Sequence, residues 1–194
     1  MGIYEFAGCV VSYEPLYGLL RRRMETYRSD TERQPDITLD GTKEDYEKLR
    51  KQYPHLSIEE CEYSCAGAEF YMKLLKHQGF MIHASAVEKE GKAYLFSAPS
   101  GTGKSTHAQL WRQTFKGEPI RIINDDKPAV CLQNGVFYAC GTPFSGKTDK
   151  NENRKAPIQG LCMLHRGKTN KIQKITSGEA LPLILPQTLF YGDE

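Results

Sequence analysis

Short apolar runs bounded by turn residues alternate along this chain with longer stretches that mix apolar and charged positions, the pattern of strands interleaved with helices. The first part predicts a strand over Tyr4–Val11, a basic helix after Pro15 over Leu16–Tyr27, a strand over Ile37–Leu39, and helices over 43–52 and 57–77. Ser57 and Glu60 stand at capping-box spacing where the last of these opens. From Phe80 the pattern switches to strands. Phe80–Val87 and Lys92–Ser97 flank a turn at Glu90-Gly91, a helix runs from Lys104 to Phe115, and a strand covers Ile120–Ile123. A hairpin of 128–133 and 136–140 follows around Asn134-Gly135. Gly, Pro, Asn and Lys are spread through Gly141–Pro157, which predicts a long functional loop. The expected class is mixed α/β, with a small N-terminal α+β region over 1–79 and a second region over 80–194.

Composition narrows the function classes. The 194 residues, 39% hydrophobic and 26% charged, make one domain, or one with an appendage, and can bury a real core. Lys and Arg number 26 against 24 Asp and Glu, a formal net charge of +2. That supplies no polybasic field for nucleic acid, so no nucleic-acid partner is expected. The charge is unevenly divided, with net −3 over 1–80 and net +5 over 81–194. The six cysteines lack paired CxxC spacing, which argues against zinc. The apolar run Leu181–Pro186 is far below a membrane span and no signal-peptide pattern precedes the fold, so a cytoplasmic protein without a membrane partner is expected.

Two segments compete for a phosphate-binding loop of the pattern GxxxxGK[ST]. Gly141-Thr-Pro-Phe-Ser-Gly-Lys147-Thr148 satisfies the letters, but asparagines and a proline follow it, with no apolar period to open a helix. Ala98-Pro-Ser-Gly-Thr-Gly-Lys104-Ser105 has alanine at the first position, yet it leaves an apolar strand and runs into Thr106-His-Ala-Gln-Leu-Trp111. Strand, glycine loop and helix is the arrangement that aims backbone N–H groups and a helix N-terminus at phosphate. Ser100, Gly101, Thr102, Gly103, Lys104, Ser105 and Thr106 are therefore the expected nucleotide contacts, with Lys104 on the terminal phosphates and the Ser105 hydroxyl on Mg²⁺. The strand Ile120–Ile123 then ends in Asn124-Asp125-Asp126, where a carboxylate would reach that metal. Of two adjacent aspartates, one can hold Mg²⁺ through water while the other accepts a proton from an attacking hydroxyl. His83 stands just before the strand that carries the loop, and His107 and Trp111 share a helix face, a pair read as mostly structural.

Taken together, His83-Ala-Ser-Ala-Val, Ser97-Ala-Pro-Ser-Gly-Thr-Gly-Lys-Ser-Thr-His107 and Ile122-Ile-Asn-Asp-Asp-Lys-Pro-Ala-Val130 resemble the HPr kinase/phosphorylase-related P-loop kinases, a group that also resembles phosphoenolpyruvate carboxykinase. The resemblance covers about 80–165. It implies a mixed β-sheet kinase domain, with His83 beside the phosphates, Lys104 and Ser105 as phosphate and Mg²⁺ contacts, Asp125 linked to the metal and Asp126 as catalytic base. The glycine-rich signature that follows the Asp-Asp strand in HPr kinases has no counterpart at Ile158–Leu164, so HPr itself is not implied as the acceptor. The expected activity is Mg²⁺-dependent transfer of the γ-phosphoryl group of ATP to a hydroxyl, a serine of a peptide or small protein, with Lys147 or Arg154 neutralising developing charge. A kinase of a small hydroxylated metabolite, an ATP-sensing regulator without transfer, a carboxykinase-like lyase and a homo-oligomeric state all stay open.

Overall fold

A computed structural model of the chain describes residues 1–115, 117 and 119–189. Strands β1 (Gly2–Phe6) and β2 (Cys9–Tyr13) form a hairpin, and β3 (Ile37–Thr38) lies parallel to β2. The single strand expected over Tyr4–Val11 is thus two. Ala7 and Gly8 both take positive φ, 54° and 80°, the pair that a two-residue hairpin turn needs. Without Asn or Asp, that turn stays hidden inside an apolar run.

Helices α1 (Gly18–Met24), α2 (Lys43–Gln52) and α3 (Ile58–Leu74) follow. Thr42 with Asp45, and Ser57 with Glu60, close capping boxes on α2 and α3. Helix α1 is capped from α3 instead: Glu62 accepts the N–H groups of Leu16 (2.5 Å) and Tyr17 (3.1 Å), and Glu59 accepts that of Gly18 (3.1 Å). Glu62 is fully buried and also accepts the Tyr13 hydroxyl (3.0 Å). Burial raises its pKa in spite of these donors.

Strands β4 (Gly79–Met81), β5 (Ala84–Lys89), β6 (Lys92–Ser97), β7 (Arg121–Asn124), β8 (Ala129–Gln133), β9 (Val136–Cys140) and β10 (Lys155–Met163) form a mixed sheet in the order β4-β8-β9-β10-β6-β5-β7. Among the described residues of this sheet, only β10 and β6 pair in parallel. β4 and β5 lie five places apart in this order, yet only Ile82 and His83 join them. Five spacings of a flat sheet measure about 24 Å, whereas three Cα–Cα steps reach about 11 Å. The sheet is therefore curled. The Ile82 N–H donates to Pro128 O (3.2 Å) and the Ala84 N–H to Asp126 O (3.1 Å) across the closure. The strand expected over Phe80–Val87 breaks at His83 because its two halves serve distant places in one curled sheet. The segment expected to stay irregular to Pro157 enters β10 at Lys155.

Helix α4 (Lys104–Thr114) covers one sheet face, packing Ala108 and Trp111 with Val87, Phe96 and Ile122. The alternate residues Ala86, Leu95 and Ile123 face the other side, where Ile184 of α5 (Ser177–Ile184) packs. A third core joins Phe6, Tyr27 and Phe70 to Cys131, Cys140 and Phe144, so it crosses the boundary drawn at 79/80. The second region is described to residue 189, and 190–194 lie outside the described residues. No helix among the described residues is long and apolar enough to cross a membrane.

Glu62→Ala leaves the part-buried N–H groups of Leu16 and Tyr17 without their acceptor and takes one of two partners from the Tyr13 hydroxyl, which keeps Tyr46 (3.1 Å), and should lower stability by about 2 kcal/mol. Glu59→Ala, which removes one half-buried cap, should cost about 1 kcal/mol or less. Urea unfolding followed by circular dichroism measures both, and equal losses would mean that the Glu62 cap holds nothing special.

Candidate functional site

Strand β5 runs antiparallel to both its neighbours, so its first residues meet the ends of β6 and β7. Ala84 pairs with Ser97 and Ala86 with Asn124. His83 consequently stands between the loop leaving β6 at Ala98 and the Asn124-Asp125-Asp126 turn leaving β7. The Ser97 hydroxyl donates to His83 O (2.9 Å), and His83 Nε2 lies 3.4 Å from Asp126 Oδ1. Two positions further along β5, Ser85 Oγ donates to Asp125 Oδ1 (2.6 Å).

The Ala98–Gly103 loop passes straight into α4. Thr102 N–H closes a turn on Pro99 O (3.3 Å), and Gly103 sits at φ 115°, a conformation side chains rarely adopt. Lys104 is buried, and its ammonium donates to Ala98 O (2.8 Å) and Pro99 O (3.4 Å). Burial lowers its pKa, while Asp126 and then Asp125 oppose the shift, so both carboxylates act on the ammonium. The N-cap of α4 is Gly103, which has no side chain to cap with, and its first turn carries no acid. By contrast α2, α3 and α5 open with closed capping boxes, and the glutamates of α3 cap α1. Among the described α-helices, α4 alone turns uncapped N–H groups outward, beside a buried ammonium. That combination suits an anion.

Asn124 is fully buried and bonds in two directions. Its Nδ2 donates to Thr142 O (3.1 Å), Thr142 Oγ1 (3.2 Å) and Phe144 O (3.4 Å), while its Oδ1 accepts the N–H groups of Asp126 (3.0 Å) and Lys127 (2.8 Å). The Asp-Asp turn is thereby tied to Gly141–Thr148, the segment with the full phosphate-loop letters. That segment leads into turns rather than a helix. Thr148 Oγ1 donates to Asp125 Oδ2 (3.0 Å), and Gly146 approaches Asp126 so closely that a Cβ would lie 2.8 Å from its carboxylate. Tyr63 Oη accepts the Gly146 N–H (3.0 Å), Arg23 Nη2 donates to Gly146 O (2.7 Å), and Phe144 packs on Tyr63, Phe70 and Tyr71. The N-terminal region thus braces the wall of the aspartates.

The two aspartates differ. Asp125 is 4% exposed and its carboxylate already accepts two hydroxyls. The Asp126 side chain is 27% exposed and faces His83, with Lys127 Nζ 3.8 Å from Oδ2. Burial alone would raise the Asp126 pKa, but the His83 hydrogen bond, with Lys127 and Lys104 nearby, holds it below the usual carboxylate value.

The structure brings His83, Lys104, Asp125 and Asp126 together, with Ser105 in the first turn of α4. Ser100, Gly101 and Thr106 are exposed, and Thr102 is half-buried. Lys147 is exposed one residue beyond Gly146. Arg154 is committed elsewhere: its Nε lies 2.6 Å from Glu88 Oε2 and its Nη1 3.3 Å from Glu152 Oε2. It lines a groove of about 920 Å³ with Gly8, Arg33, His77 and Gln133, which contains none of the clustered residues. His107 packs edge-on to Phe96 at 4.4 Å, and burial lowers its pKa.

The sequence alone assigned no role to Ser85, Asn124, Thr148, Arg166 or Gln187. Ser85 was accessible from strand alternation, two positions from His83. Gln187, whose backbone O accepts the His83 N–H (2.7 Å) and whose Oε1 lies 3.3 Å from His83 Nδ1, carried no local signal. Nor did Arg166, whose Nη2 donates to Gly101 O (2.5 Å). The chain matches no protein-family model and no curated protein sequence.

Asp126 has a depressed folded pKa, so its ionised form contributes stability that is present above the unfolded value of about 3.9 and is lost as pH falls through the folded value. The stability of the native protein relative to Asp126→Asn should therefore decline on acidification below about pH 4. Urea midpoints of both proteins across pH 3 to 7 test this, and a pH-independent difference would mean that the carboxylate gains nothing from its cationic neighbours.

Proposed function

We propose that this chain is a Mg²⁺-dependent ATP kinase, related to the HPr kinase/phosphorylase group, that transfers the γ-phosphoryl group to the hydroxyl of a serine in a peptide or small protein. One observation carries the reading: the uncapped N-terminus of α4 opens beside the buried Lys104 ammonium, with Asp125 and Asp126 in electrostatic reach. Among the described residues no cluster of three or more His, Cys, Asp or Glu is placed to hold a metal. Mg²⁺ needs no such cluster, because one carboxylate, a hydroxyl, phosphate oxygens and water complete its shell. Ser105 and Asp125 are the residues suited to hold it. When bound, the ion neutralises charge on the phosphates.

Each side chain then has one task. Lys104 exchanges two backbone carbonyls for phosphate oxygens, which are stronger acceptors for an ammonium. Ser85 and Thr148 fix the Asp125 carboxylate from two sides. Asp126, turned by His83, accepts the proton of the acceptor hydroxyl as its oxygen bonds to phosphorus and the bond to the leaving ADP breaks. A lowered pKa makes Asp126 a weak base, which suits a loose phosphoryl-transfer transition state where orientation outweighs deprotonation. Lys127, next to Asp126, replaces Arg154 as the cation best placed on the acceptor side.

Lys104→Ala should weaken ATP binding by about 10- to 100-fold, the value of a charge-assisted phosphate contact. Lys147→Ala should change it by about threefold or less. Calorimetry with Mg·ATP separates them, and the reverse order would move the site to Gly141–Thr148. Labelled ATP with a lysate of the source cell should label a protein or peptide on serine. Binding without acceptor-dependent ADP would instead identify a sensor.

A further inference from the structure

We infer that Arg166 is a second cationic ligand for the nucleotide's polyphosphate, a role that rests on the kinase reading and extends it. β10 and β6 run parallel with Met163 opposite Ser97, and the Leu164 N–H continues the ladder onto Ser97 O (2.8 Å). Two strands that leave a sheet side by side deliver their next residues to one place. After β6 that place is the Ala98–Gly103 loop, and after β10 it is His165 and Arg166. The contact is made: Arg166 Nη2 donates to Gly101 O at 2.5 Å.

The guanidinium is exposed, and no ion pair with a carboxylate holds it among the described residues. The sequence around it strengthens the local field, since no acidic residue occurs between Glu152 and Glu179 while Arg166, Lys168, Lys171 and Lys174 do. Lys104 and Arg166 thus hold carbonyls of the same loop, Ala98 and Pro99 for one and Gly101 for the other. A neutral carbonyl is the weaker partner for a guanidinium, which matches phosphate with two parallel donors. A polyphosphate on the loop therefore draws Arg166 off Gly101 O, and the side chain that latches the loop becomes its ligand. This supplies on the nucleotide side the arginine that Arg154, held by Glu88 and Glu152, does not.

The test is calorimetry of Mg·ATP binding to the full chain and to Arg166→Ala, Arg166→Lys and Lys104→Ala, with melting temperatures of each protein alone. Arg166→Ala should weaken binding by about 10- to 100-fold, and Arg166→Lys should retain part of the affinity because charge survives without the fork. Unchanged or increased affinity in Arg166→Ala, while Lys104→Ala loses binding, overturns the Arg166 assignment and leaves the kinase reading standing. A lowered melting temperature with unchanged affinity does the same, reducing Arg166 to a latch. No ATP binding by the native chain overturns the kinase reading and the assignment with it.

Discussion

The candidate site depends on one buried side chain, Asn124. With no exposed surface, it satisfies donors on the Asp-Asp turn and acceptors on the segment that follows β9, five hydrogen bonds in all. An amide is the side chain that both donates and accepts in this way, so neither aspartate nor leucine could replace it. Through Asn124 the direction of Asp125 and Asp126 is set by the position of Thr142 and Phe144. Those residues are set in turn by the aromatic core of the N-terminal region. A polar bond at the centre therefore carries a packing constraint outward by two elements.

The curled sheet supplies the other half of the arrangement. Because Ile82 and His83 must join strands five places apart, the chain cannot continue as one strand, and the residue at the break is left turned toward both neighbouring strand ends. His83 is thus positioned by topology, and Gln187 secures it from the far side. The same geometry gathers the ends of β6, β7 and β10 at one rim. Backbone N–H groups, an ammonium, two carboxylates and a guanidinium meet there, although they are distant in sequence.

The local features were legible in the sequence. The capping box at Ser57 and Glu60, the hairpin at Asn134-Gly135 and the passage from strand through glycine loop into α4 each depend on residues within a few positions of one another. What escaped depends on pairing. The Ala7-Gly8 turn lacks the usual Asn or Asp, and β10 follows a stretch of glycine, asparagine and lysine that reads as loop. The break at His83 is invisible without the strand order. The candidate site was legible in the same measure, since Lys104 and the Asp-Asp pair lie in contiguous motifs, whereas Ser85 and Arg166 enter through strand neighbours and Thr148 through the turns that follow β9. Arg154 illustrates the converse: its charge suggested phosphate, but only the fold brings Glu88 and Glu152 to it.

The proposed kinase site requires that the start of α4, and not the better-lettered segment at Gly141–Thr148, receive phosphate. Amide chemical shifts of nitrogen-15-labelled protein, recorded as Mg²⁺ and a non-hydrolysable ATP analogue are added, test it most directly. The largest shifts should fall on Gly101, Gly103, Lys104 and Ser105, with smaller ones at Asp125 and Asp126. Largest shifts at Gly141–Thr148, or in the groove around Gly8 and Gln133, would contradict it.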